Sequence, residues 1–326
     1  DICPVGALTS TDFRFKKRVW FLKTAKSVCT HCATGCNIKL DWDDASVYRY
    51  RPRENEAVNQ CWMCDEGRLS YKFINDATRV LDPLMKKEGK LQKVEWSEAL
   101  QKVLNVCGGS LGDVKVVGVL SAQSTCEENF ALYHFIKNGF KNSKFLATKK
   151  EVENPSHDNF LIDADKNPNT NFLSLLGVGP LVGGPVGIST HSDEFPTGGI
   201  YFVLDYLTEV QKEKIIAANP RLVVWMTSNL SESGTWADVI LPKPTFAEQN
   251  GTFINRQKRI QKADKAFEPK GHAKPVWETL AELAQRLDKP VSWNSAETVF
   301  AKLAQELKEL NGVNYKQIGD QGLMTK

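Results

Sequence analysis

The spacing of its cysteines constrains this chain more than any other feature. The stretch SVCTHCATGCNIKLDW, residues 27–42, sets Cys29, Cys32 and Cys36 within a few residues of one another. Cys64 follows, so the pattern is C-x2-C-x3-C-x27-C. Of eight cysteines (3, 29, 32, 36, 61, 64, 107 and 126), six fall within the first 64 residues. With no apolar signal core ahead of them, that clustering reads as metal ligation in a reducing compartment rather than as a disulfide framework. Three close thiolates can hold three corners of a cubane, and a fourth from a returning segment closes it. Ligation by four cysteines is what a [4Fe-4S] cluster requires. A structural zinc also accepts four thiolates, usually as two C-x2-C pairs. Cys61 and Cys64 make a second such pair, so zinc on Cys29, Cys32, Cys61 and Cys64, with Cys36 spare, is the competing reading.

The rest of the chain is long enough for a body around such a site. A length of 326 residues implies two or three domains, or one large α/β body with a small domain attached. Hydrophobic residues at 41% and charged residues at 25% are ordinary for a globular protein. The net charge of +3 is too small to argue for nucleic acid. Its basic pairs at 16–17, 86–87 and 149–150 and RQKR at 256–259 are scattered and read as solvated faces. No run approaches the roughly 20 apolar residues of a membrane helix, so direct membrane insertion is not expected. The start, DICPVGALTS, lacks an initiator Met and reads as the middle of a longer polypeptide.

Periodicity predicts α/β layering. FRFKKRVWFLK, in the first 26 residues, alternates well enough for a strand and for an interface. Residues 27–80 carry few helix signals, and Asp82-Pro83-Leu84 marks a boundary. Trp96–Val106 fits a helix with Ser97 as a candidate N-cap. VKVVGVLSA (114–122) reads as a buried strand before a helix at Glu127–Asn138. FLIDADKNPNT (160–170) reads as a strand entering a turn. The Gly/Pro-rich stretch 175–190 has neither period and reads as a long loop. Strands at 201–207 and 221–229 bracket a helix-like segment, a second βαβ-like unit. Turns are expected at Pro242-Lys243-Pro244 and Asn250-Gly251, and amphipathic helices at Trp277–Leu287 and Ala296–Leu310.

Several stretches share a resemblance. The cysteine pattern followed by DEGR resembles the motif that opens the molybdopterin oxidoreductase superfamily. Within it, the chain resembles the G-subunit family of NADH-quinone oxidoreductases, equivalent to the 75 kDa subunit of respiratory complex I, truncated at its N-terminus. SAQSTCEENF (121–130), DADKNPNT (163–170), ADVILPKPTFAEQNGTFINRQKRIQ (237–261) and Pro275-Val276-Trp277 match that family in order, and DICPVGALTS resembles the end of its ferredoxin-type domain. The resemblance implies an α/β fold with a small cysteine-rich iron–sulfur domain followed by layered α/β domains with parallel sheets, a shortened formate dehydrogenase-like body. It divides the chain into the tail of a ferredoxin-like domain (1–26), a [4Fe-4S] domain (27–80) and the α/β region (81–326). It implies that Cys29, Cys32, Cys36 and Cys64 bind one [4Fe-4S] cluster. It implies further that Cys3 ligates a second, whose other ligands lie upstream or in another chain.

Two departures bear on catalysis. After the SAQSTCEENF turn no cysteine offers itself as a molybdenum ligand, and Cys126, inside the turn, reads as a buried helix-start cysteine. Glu66 stands where the family usually carries a Lys between cluster and pterin. The pterin site is therefore expected to be vestigial, with no molybdopterin and no catalytic residue in this chain. His31 could tune the cluster, and the other histidines have no metal-like spacing. The implied function is an electron-transfer and scaffold component of an NADH:quinone oxidoreductase, bound to other peripheral-arm subunits. It would sit on the cytoplasmic face of a bacterial inner membrane or the mitochondrial matrix side, with no nucleic-acid partner. The alternatives are a molybdenum or tungsten oxidoreductase such as the catalytic component of a formate dehydrogenase, and a zinc-stapled assembly module.

Overall fold

The structure, a computed structural model, describes residues 3, 5, 7–108, 114–158, 160–178, 195–230 and 234–326. Strands β1 (Lys23–Val28), β2 (Asn37–Asp43) and β3 (Ser46–Pro52) form an antiparallel sheet in that order. The β2–β3 loop is Asp44-Ala45, both at positive φ (46° and 56°), the geometry whose twist matches that of a hairpin. Helix α1 (Asp65–Leu69) and a 3-10 turn, Ser70–Asn75, follow.

A second sheet begins with the hairpin β4 (Leu84–Lys87) and β5 (Lys90–Lys93). The chain then runs α2 (Trp96–Gly108), β6 (Val116–Ser121), α3 (Cys126–Gly139), β7 (Ser143–Thr148), α4 (Thr170–Leu175), β8 (Ile200–Leu204), α5 (Glu209–Ala217), β9 (Leu222–Thr227) and β10 (Val239–Pro242). The seven-stranded sheet has the order β5-β4-β10-β9-β8-β6-β7. Its pairs from β10 to β7 are parallel, and β4 joins antiparallel. A third sheet follows from β11 (Gly251–Ile254) and β12 (Arg259–Ala263), with α6 (Val276–Arg286), α7 (Ala296–Glu306), α8 (Tyr315–Ile318) and β13 (Leu323–Met324) completing the chain.

The central strands read as unbroken apolar runs because both faces of their sheet are covered. On one face Leu120, Phe202, Val224 and Leu241 join the core under α2, α3, α6 and α7. On the other, Val119, Val203, Trp225 and Ile240 pack with Ile215 of α5. Residues of one strand alternate between these cores, as the pleat requires. Gly118 lets α3 and β7 close on β6: a Cβ there would lie 2.9 Å from Ile136 Cδ1 and 3.0 Å from Phe145 Cδ1. Thr125 caps α3 in a reciprocal box with Glu128.

Three sequence expectations are corrected. Residues 13–22 form turns and a 3-10 turn at Val19–Phe21, and the strand begins only at Lys23. Phe15, Trp20 and Phe21 are exposed, so alternation there serves no sheet face. Ser97 lies inside α2, which starts at Trp96, not at its N-cap. Residues 160–169 form no strand, because side chains capture their backbone: Asp158 Oδ1 accepts from the amides of Phe160, Leu161 and Ile162. The Gly/Pro-rich stretch 175–190 lies, from residue 179 on, outside the described residues.

Candidate iron–sulfur centre

The cysteine loop joins β1 to β2. Cys29 follows the last residue of β1 and Cys36 precedes the first of β2, and the Cys29 amide donates to the Cys36 carbonyl at 2.8 Å. Gly35, at φ +61°, turns the loop, and a Cβ there would meet Gln261 Oε1 at 3.0 Å. Much of the loop's support comes from far along the chain. Ala33 N–H donates to Asp165 O at 2.8 Å, and Arg256 N–H to Ala33 O at 2.6 Å. Thr34 Oγ1 donates to Leu161 O at 2.8 Å, and Gln261 Nε2 to Gly35 O at 2.9 Å.

Cys64 arrives from the opposite side as the N-cap of α1, its Sγ accepting from Gly67 N–H at 3.3 Å. A Cβ on Gly67 would lie 3.0 Å from Cys29 Sγ and 3.3 Å from Cys64 Sγ, so two of the sulfurs flank the width of a single methyl group. All four thiols act on one another. Burial pushes the Cys29 thiol up to about 12, opposed by the His31 amide and reinforced by charge at Cys32 and Cys64. Burial likewise drives Cys36 up, with Cys29, Cys32 and Cys64 adding to it. Burial raises Cys64 too, against the Gly67 amide, with Cys32 adding. Four thiolates held together here need metal charge to offset their repulsion and desolvation.

Among the described residues, no three His, Cys, Asp or Glu side chains converge tightly enough to share one metal ion. A single zinc draws its sulfurs to about 2.3 Å from one point, whereas a cubane spreads them around its corners. The donor set therefore fits a four-iron cluster. Cys61 is exposed, so the alternative zinc set loses a corner. Cys3 is half-buried upstream of β1 and outside the core that holds Cys29 and Cys36. Cys107 is buried in α2, and Cys126 is the buried first residue of α3.

Charged side chains separate the thiols from a neighbouring cavity of about 750 Å³. Glu66 accepts from Ser156 Oγ at 2.5 Å and from Lys166 Nζ and His31 Nε2 at 3.1 Å each. These bonds, led by Ser156, hold its carboxyl down at about 2. The cavity opens at the carboxyl ends of the parallel strands, where α/β sheets place ligands. In its wall Lys243 is buried between Glu128 and Asp205, 2.6 Å from each. Burial opposes the Lys243 charge, but the two carboxylates raise its pKa and keep it ionised. Lys166, Asp205 and Lys243 carry no signal in the sequence, where each is an ordinary charged residue in a turn.

The molybdopterin oxidoreductase Fe4S4 domain family matches residues 22–76, a span with all four thiols, and the molybdopterin oxidoreductase family matches residues 188–286. The chain is 23% identical to the G subunit of the NADH-quinone oxidoreductase of Rickettsia conorii, over 94% of this chain and 62% of that protein. It is 37% identical, over 44% of its length and 20% of the relative's, to NADH dehydrogenase [ubiquinone] iron-sulfur protein 1, mitochondrial, of Solanum tuberosum. This chain is a G-subunit-like member of the molybdopterin oxidoreductase superfamily. It spans less than two thirds of the length of the Rickettsia relative. That match runs over 418 aligned positions, more than the 326 residues here, so the relative carries segments that this chain lacks. Acetylene hydratase from Pelobacter acetylenicus shares the fold, with a TM-score of 0.51, 11% identity, and coverage of 93% of this chain and 74% of that one.

Proposed function

We propose that this chain is an electron-transfer and scaffold part of an NADH:quinone oxidoreductase, with Cys29, Cys32, Cys36 and Cys64 as ligands of one [4Fe-4S] cluster. The observation that carries the proposal is the mutual influence of four thiols around Gly67, within the span of the Fe4S4 domain match. Bound there, a cluster accepts and releases one electron without bond-making at a substrate. The chain's residues set the terms of that exchange. Burial excludes water, the Gly67 amide points at Cys64 Sγ, and the Lys166 cation lies close enough to act on Cys64. Cys3 belongs, on this reading, to a second cluster completed by residues upstream or in another chain. Other peripheral-arm subunits are the proposed partners, on the cytoplasmic or matrix side of the membrane. In keeping with a peripheral place, no helix among the described residues is long and apolar enough to cross a membrane.

The cavity beside Glu66 supplies the one observation that favours a catalytic molybdenum or tungsten reading. Iron, sulfide, zinc, molybdenum and tungsten content of anaerobically purified protein separates the possibilities. Iron and sulfide near four each, with a [4Fe-4S]+ EPR signal after reduction, supports the proposal. Bound pterin, or one zinc with no visible absorbance, overturns it.

A further inference from the structure

Tyr50 lies in β3 opposite Leu40 of β2, with a relative exposure of 1%. Its ring meets Tyr71 edge-on at 5.6 Å and Phe246 at 6.4 Å. Its hydroxyl is buried and has no hydrogen-bond partner. Burying a hydroxyl without an acceptor is costly, and folded proteins rarely leave one so. A phenylalanine would fill the same space without that cost, so the oxygen needs a reason.

The surroundings supply one. Tyr50 belongs to the same buried cluster as Cys29 and Cys36. Negative charge at Cys29 acts directly on its phenol, after burial the largest influence there. Ser27 Oγ and Asn37 Nδ2, which flank the cysteine loop, are likewise buried without partners. Tyr50 is the one of the three on which charge at a ligand cysteine is seen to act. We infer that the Tyr50 hydroxyl donates a hydrogen bond to a sulfur of the cluster, either Cys29 Sγ or a bridging sulfide, and is a positioning and potential-setting residue of the centre. The inference rests on the cluster assignment above. A donor to sulfur stabilises the more electron-rich, reduced state and so raises the reduction potential. No proton moves; the cluster gains one electron, supplied by dithionite in the test.

The test uses the full chain, reconstituted anaerobically with iron and sulfide, in three forms: wild type, Tyr50→Phe, and 3-fluorotyrosine placed at position 50. Fluorination keeps the ring and makes the phenol a stronger donor. Tyr50→Phe is expected to lower the midpoint potential in an EPR-monitored titration and to lose one exchangeable-proton coupling seen by double resonance in H2O against D2O. The fluorinated protein is expected to shift the potential upward. Iron and sulfide content stays at the wild-type level in both. Unchanged couplings in Tyr50→Phe, or an unmoved potential in the fluorinated form, overturn the inference. If Tyr50→Phe fails to load, the fluorinated form alone decides. Absence of iron from the wild type would instead defeat the cluster assignment.

Discussion

A single nitrogen of Arg79, Nη2, reaches both carboxylate oxygens of Glu248, at 3.1 and 2.7 Å, with both side chains buried. The same guanidinium donates to the carbonyls of Ile74 and Ser228 at 2.9 and 3.1 Å. Arg79 thus ties the segment after the cysteines to the parallel sheet. Arg79→Met strands a buried carboxylate and is expected to destabilise the chain by about 3–5 kcal/mol. Pairing it with Glu248→Leu should recover part of that loss. Urea unfolding of both single variants and the double checks this; strictly additive losses would refute the coupling.

Ligation predicts a clean split between neighbouring cysteines. Cys64→Ala should leave iron near zero, while Cys61→Ser, altering an exposed side chain, should load as wild type. Iron analysis and visible absorbance read the difference. Equal loss in both variants would contradict the four-thiolate set.

Gly67→Ala tests the closeness of the sulfurs. The new methyl would press on Cys29 Sγ and Cys64 Sγ. Alanine suits a helix better than glycine by about 1 kcal/mol, so the fold survives. The expected result is unchanged far-ultraviolet circular dichroism with several-fold less iron; full loading would show that the two sulfurs have more room than this.

Lys166 and Glu66 should tune the centre in opposite senses. Charge at Lys166 eases ionisation of Cys64 and charge at Glu66 hinders it. Removing an interaction of about 1 kcal/mol moves a one-electron couple by about 40 mV. Lys166→Gln is expected to lower the midpoint potential by roughly that much. Glu66→Gln should raise it by less, because Glu66 is more exposed than Lys166. Shifts of the same sign in a redox titration would exclude this account.

Glu127 carries a pH dependence. Burial pushes its carboxyl up to about 7, although Thr252 N–H, Thr252 Oγ1 and Tyr315 Oη each donate to it at 2.8 Å. Between its ordinary value of 4.5 and about 7, the folded state holds a proton that the unfolded chain has released. Stability from this group is therefore complete at the acid end and is lost as pH rises through about 7, about 3 kcal/mol in all. Glu127→Gln should flatten that part of the profile. Urea midpoints from about pH 5 to about pH 8 decide it; a wild-type midpoint that rises with pH, once other groups are held in common with the variant, excludes the assignment.

What could be read from the sequence was what depends on local pattern. The strands around Val119, Phe202 and Val224 stood out because burial on both faces leaves no polar position to blur them. Helix α3 stood out on spacing alone. The stretch at 160–170 misled because Asp158 diverts three backbone amides, a competition that hydrophobicity does not register. Residues 13–22 misled because alternation does not say whether a partner strand exists. Arg79–Glu248, Lys166–Glu66 and Lys243–Asp205 were invisible, since each joins ordinary charged residues far apart in the chain and is created only by the fold.

The cysteine loop leans on carbonyls and amides of Leu161, Asp165, Arg256 and Gln261. Its shape is therefore an inheritance from distant sequence, of the high-contact-order kind that forms late in folding. A peptide of residues 27–80 would carry Cys29, Cys32, Cys36 and Cys64 and none of those props. Transplanted into a small scaffold, the motif would bring its ligands but not their geometry, so a designer borrowing this centre must borrow the α/β body with it.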